Sequence, residues 1–273
     1  MNATVTVRAR RVADAVWPPA LFGAAFVAVW EGAVKVFDLK PYFLPPPSAI
    51  WREFVGNLSL IRDAAFVSGG NAFVGLLVGA LFGIAVSFAL MRFRLLNDMV
   101  TPLAIALNAV PIIVLVAVFN NMFSSTSEIP RRLMVTLVVY FVVLVNVAKG
   151  LRQVSPIHLE LLRSYAAKPV EVIRKARIPN AVPYLFTALK IAAPLAVITA
   201  FVAEYFGGPQ NGLGSRIVSN IAASRNAVAW AYVVGACLLG LTFYLISILL
   251  ESITRRRFGG DDSRGSGPGG GTV

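Results

Sequence analysis

The stretch ELLRSYAAKPVEVIRKARIPNAVPYLF, residues 160–186, is polar where the chain on either side is oily. It holds five basic residues, Arg163, Lys168, Arg174, Lys175 and Arg177, and three prolines, Pro169, Pro179 and Pro183. Two short helices are read from it. Just upstream, Ser155 and Pro156 make a helix start, a cap residue followed by proline at the first helical position. Ile157, Leu161 and Ser164/Tyr165 then recur at helical spacing. The sequence AAKP breaks this helix and Pro169 opens a second, with Val172, Ile173 and Ala176 on one face. Pro179 and Pro183 are expected to end it before the next apolar run. Helices this short are marginal alone, so their apolar faces must dock, either on the ends of the chain's own helices or on a partner.

Outward from this elbow the composition is that of a membrane protein. The 273 residues are 57% hydrophobic and only 14% charged, with mean hydropathy +0.74. A soluble domain carries about a quarter charged residues. Charge-free runs occupy 15–30, 64–91, 99–127, 133–148 and 226–250, and a further run at about 189–206 has Lys190 and Glu204 near its ends. With roughly 20 apolar residues per crossing, six membrane-spanning helices are expected, or five if the run at 133–148 is re-entrant. Runs without period-2 alternation, in a solvent that leaves no backbone group unpaired, fit helices alone.

The net charge of +12 is spread between the oily runs and not gathered in one patch, so it reads as topology and not as a nucleic-acid surface. With the N-terminus inside, sixteen Lys and Arg fall on cytoplasmic segments and eight on outer ones. That bias places both termini and the elbow in the cytoplasm. The organisation expected is a cytoplasmic segment 1–14, a six-helix domain 15–256 with the elbow at 155–183, and a disordered tail 257–273. The basic start reads as a retained signal anchor. Gly75, Gly79 and Gly83 form a smooth G-x-x-x-G-x-x-x-G face for close helix approach. In LPPPSAIWREF, residues 44–54, Ser48 is expected to cap a surface helix whose Ile50, Trp51 and Phe54 face the membrane. Glu31 and Lys35 are spaced to pair.

Catalytic chemistry is missing from this text. One histidine, His158, and one cysteine, Cys237, give no thiolate or multi-histidine metal set. Cys237, in an apolar run, is expected to be buried packing. No glycine precedes a lysine, so there is no phosphate-cradling P-loop. Glu31 and Glu204 lie near the outer surface, whereas a proton-coupled carrier places a charge mid-membrane. Polar residues within the runs, Asn71, Asn108, Asn120 and Asn146, read first as interhelical hydrogen bonds. All four, with Glu204 at the outer mouth, are also candidates to line a pathway. Pro111 and Pro194 are candidates to kink their helices, and in transporters such breaks often line the path. An energy-independent channel or membrane scaffold would share these spans but has no use for the elbow. An intramembrane enzyme would need paired catalytic groups at depth.

The elbow resembles the cytoplasmic signature of permease subunits in binding-protein-dependent ABC importers, E-A-A-x(3)-G-x(9)-I-x-L-P. Glu160 takes the glutamate place, Ala166 the glycine and Pro179 the terminal proline, with the spacing kept. Leu161 and Leu162 replace the alanines, Ala176 the isoleucine and Ile178 the leucine. The flanking IRKARIPNAVPYLFTALKIA, FVAEYFGGPQNGLGSRI and FLPPPSAIWREF are similar to the nitrate/sulfonate/taurine branch, which also imports pyrimidine-type vitamin precursors.

The resemblance implies an all-α, type I importer permease with six helices in a bacterial inner membrane. Two permeases, identical or sister, would sit side by side above two ATPase subunits, with an extracytoplasmic binding protein delivering the solute. No cofactor is implied on this chain; ATP and Mg belong to the ATPase. Glu160, Ser164, Ala166, Ala167, Lys168, Pro169, Arg174 and Pro179 would form the coupling helix seated on that ATPase. Alanine at 166 puts the bend in question, because glycine tolerates positive φ and alanine does not; Pro169 is expected to supply the break instead. The run FNNMFSSTSEIPRRLM is closer to the vitamin-precursor relatives and points to a small heterocyclic or aromatic solute, with sulfonate, taurine or nitrate as the alternative.

Overall fold

The computed structural model of the protein describes residues 2–93, 111–124 and 126–258, and every regular element among them is helical. In chain order these are α1 (Asn2–Val36), α2 (Pro47–Gly56), α3 (Leu58–Arg92), α4 (Ile112–Met122), α5 (Ile129–Arg152), α6 (Pro156–Ser164) and α7 (Pro169–Val172). A π-helical turn (Ile173–Arg177) leads into α8 (Ile178–Tyr205), followed by α9 (Leu213–Ala222) and α10 (Asn226–Phe258). Five stretches are long and apolar enough to cross a membrane: Trp17–Val36, Leu58–Arg92, Ile129–Arg152, Pro169–Tyr205 and Asn226–Ile253. The predicted run 99–127 is represented by α4, and its remainder, with Asn108, falls largely outside the described residues. The run at 133–148 is no re-entrant loop, since α5 extends it to 24 residues.

The chain folds as two compact units, one of Met1–Arg62 with Arg216–Gly235 and one of Asp63–Ser215 with Ala236–Val273. The core of the second lies along α5. Val135, Val139, Val143, Val147 and Leu151 recur every four residues and are fully or nearly fully buried. They pack with an equally regular alanine row on α8, formed by Ala188, Ala192, Ala196 and Ala200. The glycines of α3 meet the same valines. A Cβ on Gly79 would stand 2.6 Å from the Thr136 carbonyl and 2.9 Å from Val139, and one on Gly83 2.9 Å from the Tyr140 carbonyl. The smooth face read from the sequence therefore receives α5. Valine-rich text favours strands in water, but in lipid only a helix pairs every backbone group within its own segment. Small residues then let the backbones approach, and van der Waals contact holds them.

In the first unit, Glu31 bridges Lys35 at 2.9 Å and accepts from the Ser48 hydroxyl at 2.9 Å and the Ser48 amide at 3.1 Å. This corrects the expected cap. Pro46, in extended backbone, precedes α2, and Ser48 is already inside the helix. A carboxylate at that end suits the exposed amides of a helix N-terminus. Ile50 and Phe54 are buried and only Trp51 is exposed, so two of the three residues assigned to the membrane face the protein. Cys237 is likewise exposed, not buried; on a helix in lipid, apolar and buried are different properties. α10 runs to Phe258, two residues past the predicted start of the tail, and 259–273 lie outside the described residues.

Candidate functional site: the elbow and its anchors

Between α5 and α8 the chain makes the two-part elbow expected from its text. Ser155 precedes α6 with Pro156 in the first turn, though its side chain makes no capping bond. α6 buries none of its residues. Ile157, Leu161, Tyr165 and, beyond the bend, Val170 are all more than half exposed. Among the described residues, the apolar face is thus docked on no helix of the chain. Glu160, Ser164, Lys168, Pro169 and Arg174 are exposed around it and Ala167 half-buried. The Ser164 hydroxyl returns to the Leu161 carbonyl at 2.8 Å.

The bend corrects the expectation about Ala166. It adopts φ +52°, and the Ala167 amide reaches the Leu162 carbonyl at 3.0 Å while the Ala166 amide reaches Arg163 at 2.9 Å. That pair of bonds is a Schellman cap, with alanine in the position usually given to glycine. The turn is made by Ala166 itself; Pro169 only opens the next helix, where Glu171 accepts from the Lys168 amide at 2.9 Å and pairs with Lys175 at 3.3 Å.

Pro179 and Pro183 do not end that helix. It continues through the π-turn into α8, whose interior holds Pro183 and Pro194. A proline removes an amide and crowds the preceding turn; the wider π-turn immediately before Pro179 accommodates this without a break. The junction is then tied to the end of α5. Asn180 donates to the carbonyls of Gly150 (2.7 Å) and Gln153 (3.2 Å), Arg177 to Leu151 (3.2 Å), and the Tyr184 hydroxyl meets the Gln153 side chain at 2.8 Å. Carbonyls left unpaired at the end of α5 are satisfied by the start of α8, so elbow, α5 and α8 form one bonded assembly.

A second polar cluster sits at the other end of α5 and α8. Arg131, 1% exposed, bonds Glu128 at 2.8 Å, Asn211 at 2.9 Å and the Pro209 carbonyl. Glu128 also accepts from Asn71 at 2.7 Å and Asn211 at 2.8 Å, and Asn71 in turn accepts from Arg132 at 3.0 Å. Burial works against the charged form of Glu128, but hydrogen bonds from Asn211 and Asn71 and the Arg131 charge hold its carboxyl below the usual carboxylate range. Glu204, also 1% exposed, accepts from the Ser68 hydroxyl at 2.7 Å and the Gly214 amide at 3.0 Å, while Ser68 accepts from the Leu213 amide at 2.9 Å. It anchors the start of α9, where a Cβ on Gly212 would overlap its carboxylate.

Among the described residues, the pathway candidates make separate contacts. Asn108 lies outside the described residues. Pro111 stands in extended backbone immediately before α4, at a helix start. Asn146 is half-buried and donates to the Val142 carbonyl of its own helix at 2.8 Å. Asn71 makes the interhelical bonds expected of it. Sequence reasoning missed Arg131, counted only as an outer-side charge, and Ser68. The available signal was Glu128 and two arginines at the mouth of an apolar run, paired with the glycine-rich 207–214.

The profile of the family described as binding-protein-dependent transport system inner membrane component matches residues 75–259, and the chain belongs to that family. It is an ABC importer permease subunit of the inner membrane, a transport component whose ATPase is a separate chain. Such permeases work with ATPase and binding-protein partners. The chain is 29% identical over 199 residues to the formylaminopyrimidine transport permease protein ThiX of Halalkalibacterium halodurans, covering 72% of this chain and 78% of that one. It is 26% identical over 196 residues to a probable ABC transporter permease protein of Haemophilus influenzae, covering 72% and 79%. Over 251 residues it is 21% identical to the taurine transport system permease protein TauC of Escherichia coli, covering 85% and 86%. These relatives are consistent with the nitrate/sulfonate/taurine branch. The fold is shared with a crystal structure of an amino acid ABC transporter with histidines, at TM-score 0.60 and 15% identity over 74% of this chain and 96% of that one.

Proposed function

We propose that this chain forms the translocation pathway of its importer for a small heterocyclic or aromatic solute of the vitamin-precursor kind. A sister or identical permease completes the pathway, and both termini and the elbow lie in the cytoplasm. The elbow at 155–183 is the contact with the ATPase. The observation that carries this reading is an apolar face, Ile157, Leu161, Tyr165 and Val170, left exposed by the chain on a segment bonded firmly to α5 and α8. Such a face, ringed by Arg163, Lys168 and Arg174, suits a protein groove with acidic or polar edges. The chain binds no nucleotide itself; ATP and Mg act on the partner.

ATP-driven closure of two ATPases would displace the elbow, and α5 and α8 would carry the displacement into an alternation between inward- and outward-open packings. Asn146, Glu204, Pro111 and Asn108 are the pathway positions this reading retains. The solute class rests on the likeness to the formylaminopyrimidine permease; the taurine permease supports a sulfonate as the second reading. The test is reconstitution with the ATPase and binding protein. Glu160→Lys and Ala167→Asp should abolish uptake and solute-stimulated ATP hydrolysis while the protein still inserts, and unchanged uptake would remove the elbow from the coupling path. Competition of labelled pyrimidine-precursor uptake by taurine separates the two solute readings.

A further inference from the structure

Within the unit of Met1–Arg62 and Arg216–Gly235, a groove of about 590 Å³ is bounded by Tyr42, Glu53 and Asn57 on one side and the α9–α10 region on the other. Arg216 and Arg225 line it; both are exposed and neither has an ion-pair partner among the described residues. Glu53 faces the same space, but its carboxylate accepts from Asn57 at 3.2 Å, and the groove keeps a net positive charge. Tyr232 also lines it. The residue is 3% exposed, and its hydroxyl is the part open to the groove. The first turn of α10, from Asn226, supplies another wall, and amides there have no acceptor within the helix.

A second, apolar slot of about 260 Å³ shares Asn226 with the groove and is lined by Ile217, Ile221, Ala229, Trp230 and Val233. Trp230 stands edge-on to Trp30, with ring centroids 5.5 Å apart. Tryptophans of membrane proteins concentrate at headgroup level. A cationic polar compartment beside an apolar one, at the depth marked by an indole pair, matches an amphiphile with an anionic head. We propose that this face binds a membrane phospholipid, its phosphodiester between Arg216 and Arg225 and an acyl chain along Ile221 and Trp230. Guanidinium groups present paired donors to phosphate oxygens, and the Tyr232 hydroxyl supplies a further donor. A soluble oxyanion would use the groove and leave the slot idle.

The test is native mass spectrometry of the protein extracted in mild detergent, with thermal melts confirming that each variant is folded. The wild type should retain a phospholipid through detergent exchange. Arg216→Gln combined with Arg225→Gln should retain roughly tenfold less, as loss of charge-assisted hydrogen bonds implies, and the double lysine variant should retain it. Ile221→Asn should weaken retention with both arginines intact. Equal retention in the wild type and the double glutamine variant overturns the proposal. So does displacement of the lipid by excess inorganic phosphate, which marks a free-oxyanion site. A double variant that keeps lipid but loses binding-protein docking also overturns it and identifies a protein-docking surface.

Discussion

Ala166 sets residue against backbone. An L-residue in the left-handed region costs roughly 1–2 kcal/mol, and here alanine bears that cost at φ +52°. Ala166→Gly should therefore raise the melting temperature and keep transport, whereas Ala166→Val should lower it and weaken solute-stimulated ATP hydrolysis; melts and a coupled ATPase assay read both. Arg131 is decisive through its side chain. Replacing it with methionine leaves the Glu128 carboxylate to Asn71 and Asn211 without its counter-ion, and the Pro209 carbonyl without its donor. Because Glu128 is partly exposed, the loss should fall at or below the roughly 3–5 kcal/mol of a fully buried pair, to be read by thermal unfolding. Glu128 supplies a pH signature. Its folded carboxyl lies below the ordinary value of 4.5, so its stabilisation is complete above that value and is lost as pH falls through the lower folded one. Melting temperature should drop across that acid window, and Glu128→Gln should flatten the drop. Arg131 was not legible beforehand because an arginine beside an apolar run looks the same whether it meets water or a loop. Only the fold brings Pro209 and Asn211 to it.

Among the elements, the α3–α5 and α5–α8 contacts make a pointed comparison. Gly79 has no room for a side chain, while a methyl group on Gly70 of the same helix would meet nothing within 4 Å. Gly79→Val should lower the melting temperature and reduce uptake, and Gly70→Ala should leave both unchanged. The glycine face was legible because its spacing is rigid and its residue type rare. The alanine row of α8 was not, since alanine is ordinary helix text and only its partner row of valines gives it meaning. The prolines misled for a related reason. Pro179 and Pro183 read as stops in an ordinary helix, but the π-turn at Ile173–Arg177 absorbs Pro179, and α8 continues through Pro183. Deleting Ala176 should restore a regular helix and crowd Pro179 against the turn before it. Insertion should survive while ATP hydrolysis and uptake uncouple, measured together in proteoliposomes.

For the molecule as a whole, composition and charge sufficed to read a helical membrane protein, because lipid permits few alternatives, and the spacing from Glu160 to Pro179 sufficed to read its family. Solute choice was not legible, since the polar residues of the spans are spent on structural bonds such as those of Asn71 and Asn146. Lys190 and Glu251, joined at 2.8 Å, bear on how the protein is made. α8 leaves the ribosome before α10, so nascent Lys190 has no counter-ion while its helix enters the bilayer. An ionised group at the centre of an inserting helix costs roughly 2.5–3.5 kcal/mol, and one nearer the end costs less. A chain truncated before Asn226 should therefore hold α8 loosely, with raised thiol accessibility of a cysteine placed at position 189 while Lys190 is kept. The arrival of α10 would then lock α8 in place, making the Lys190–Glu251 pair a checkpoint in assembly.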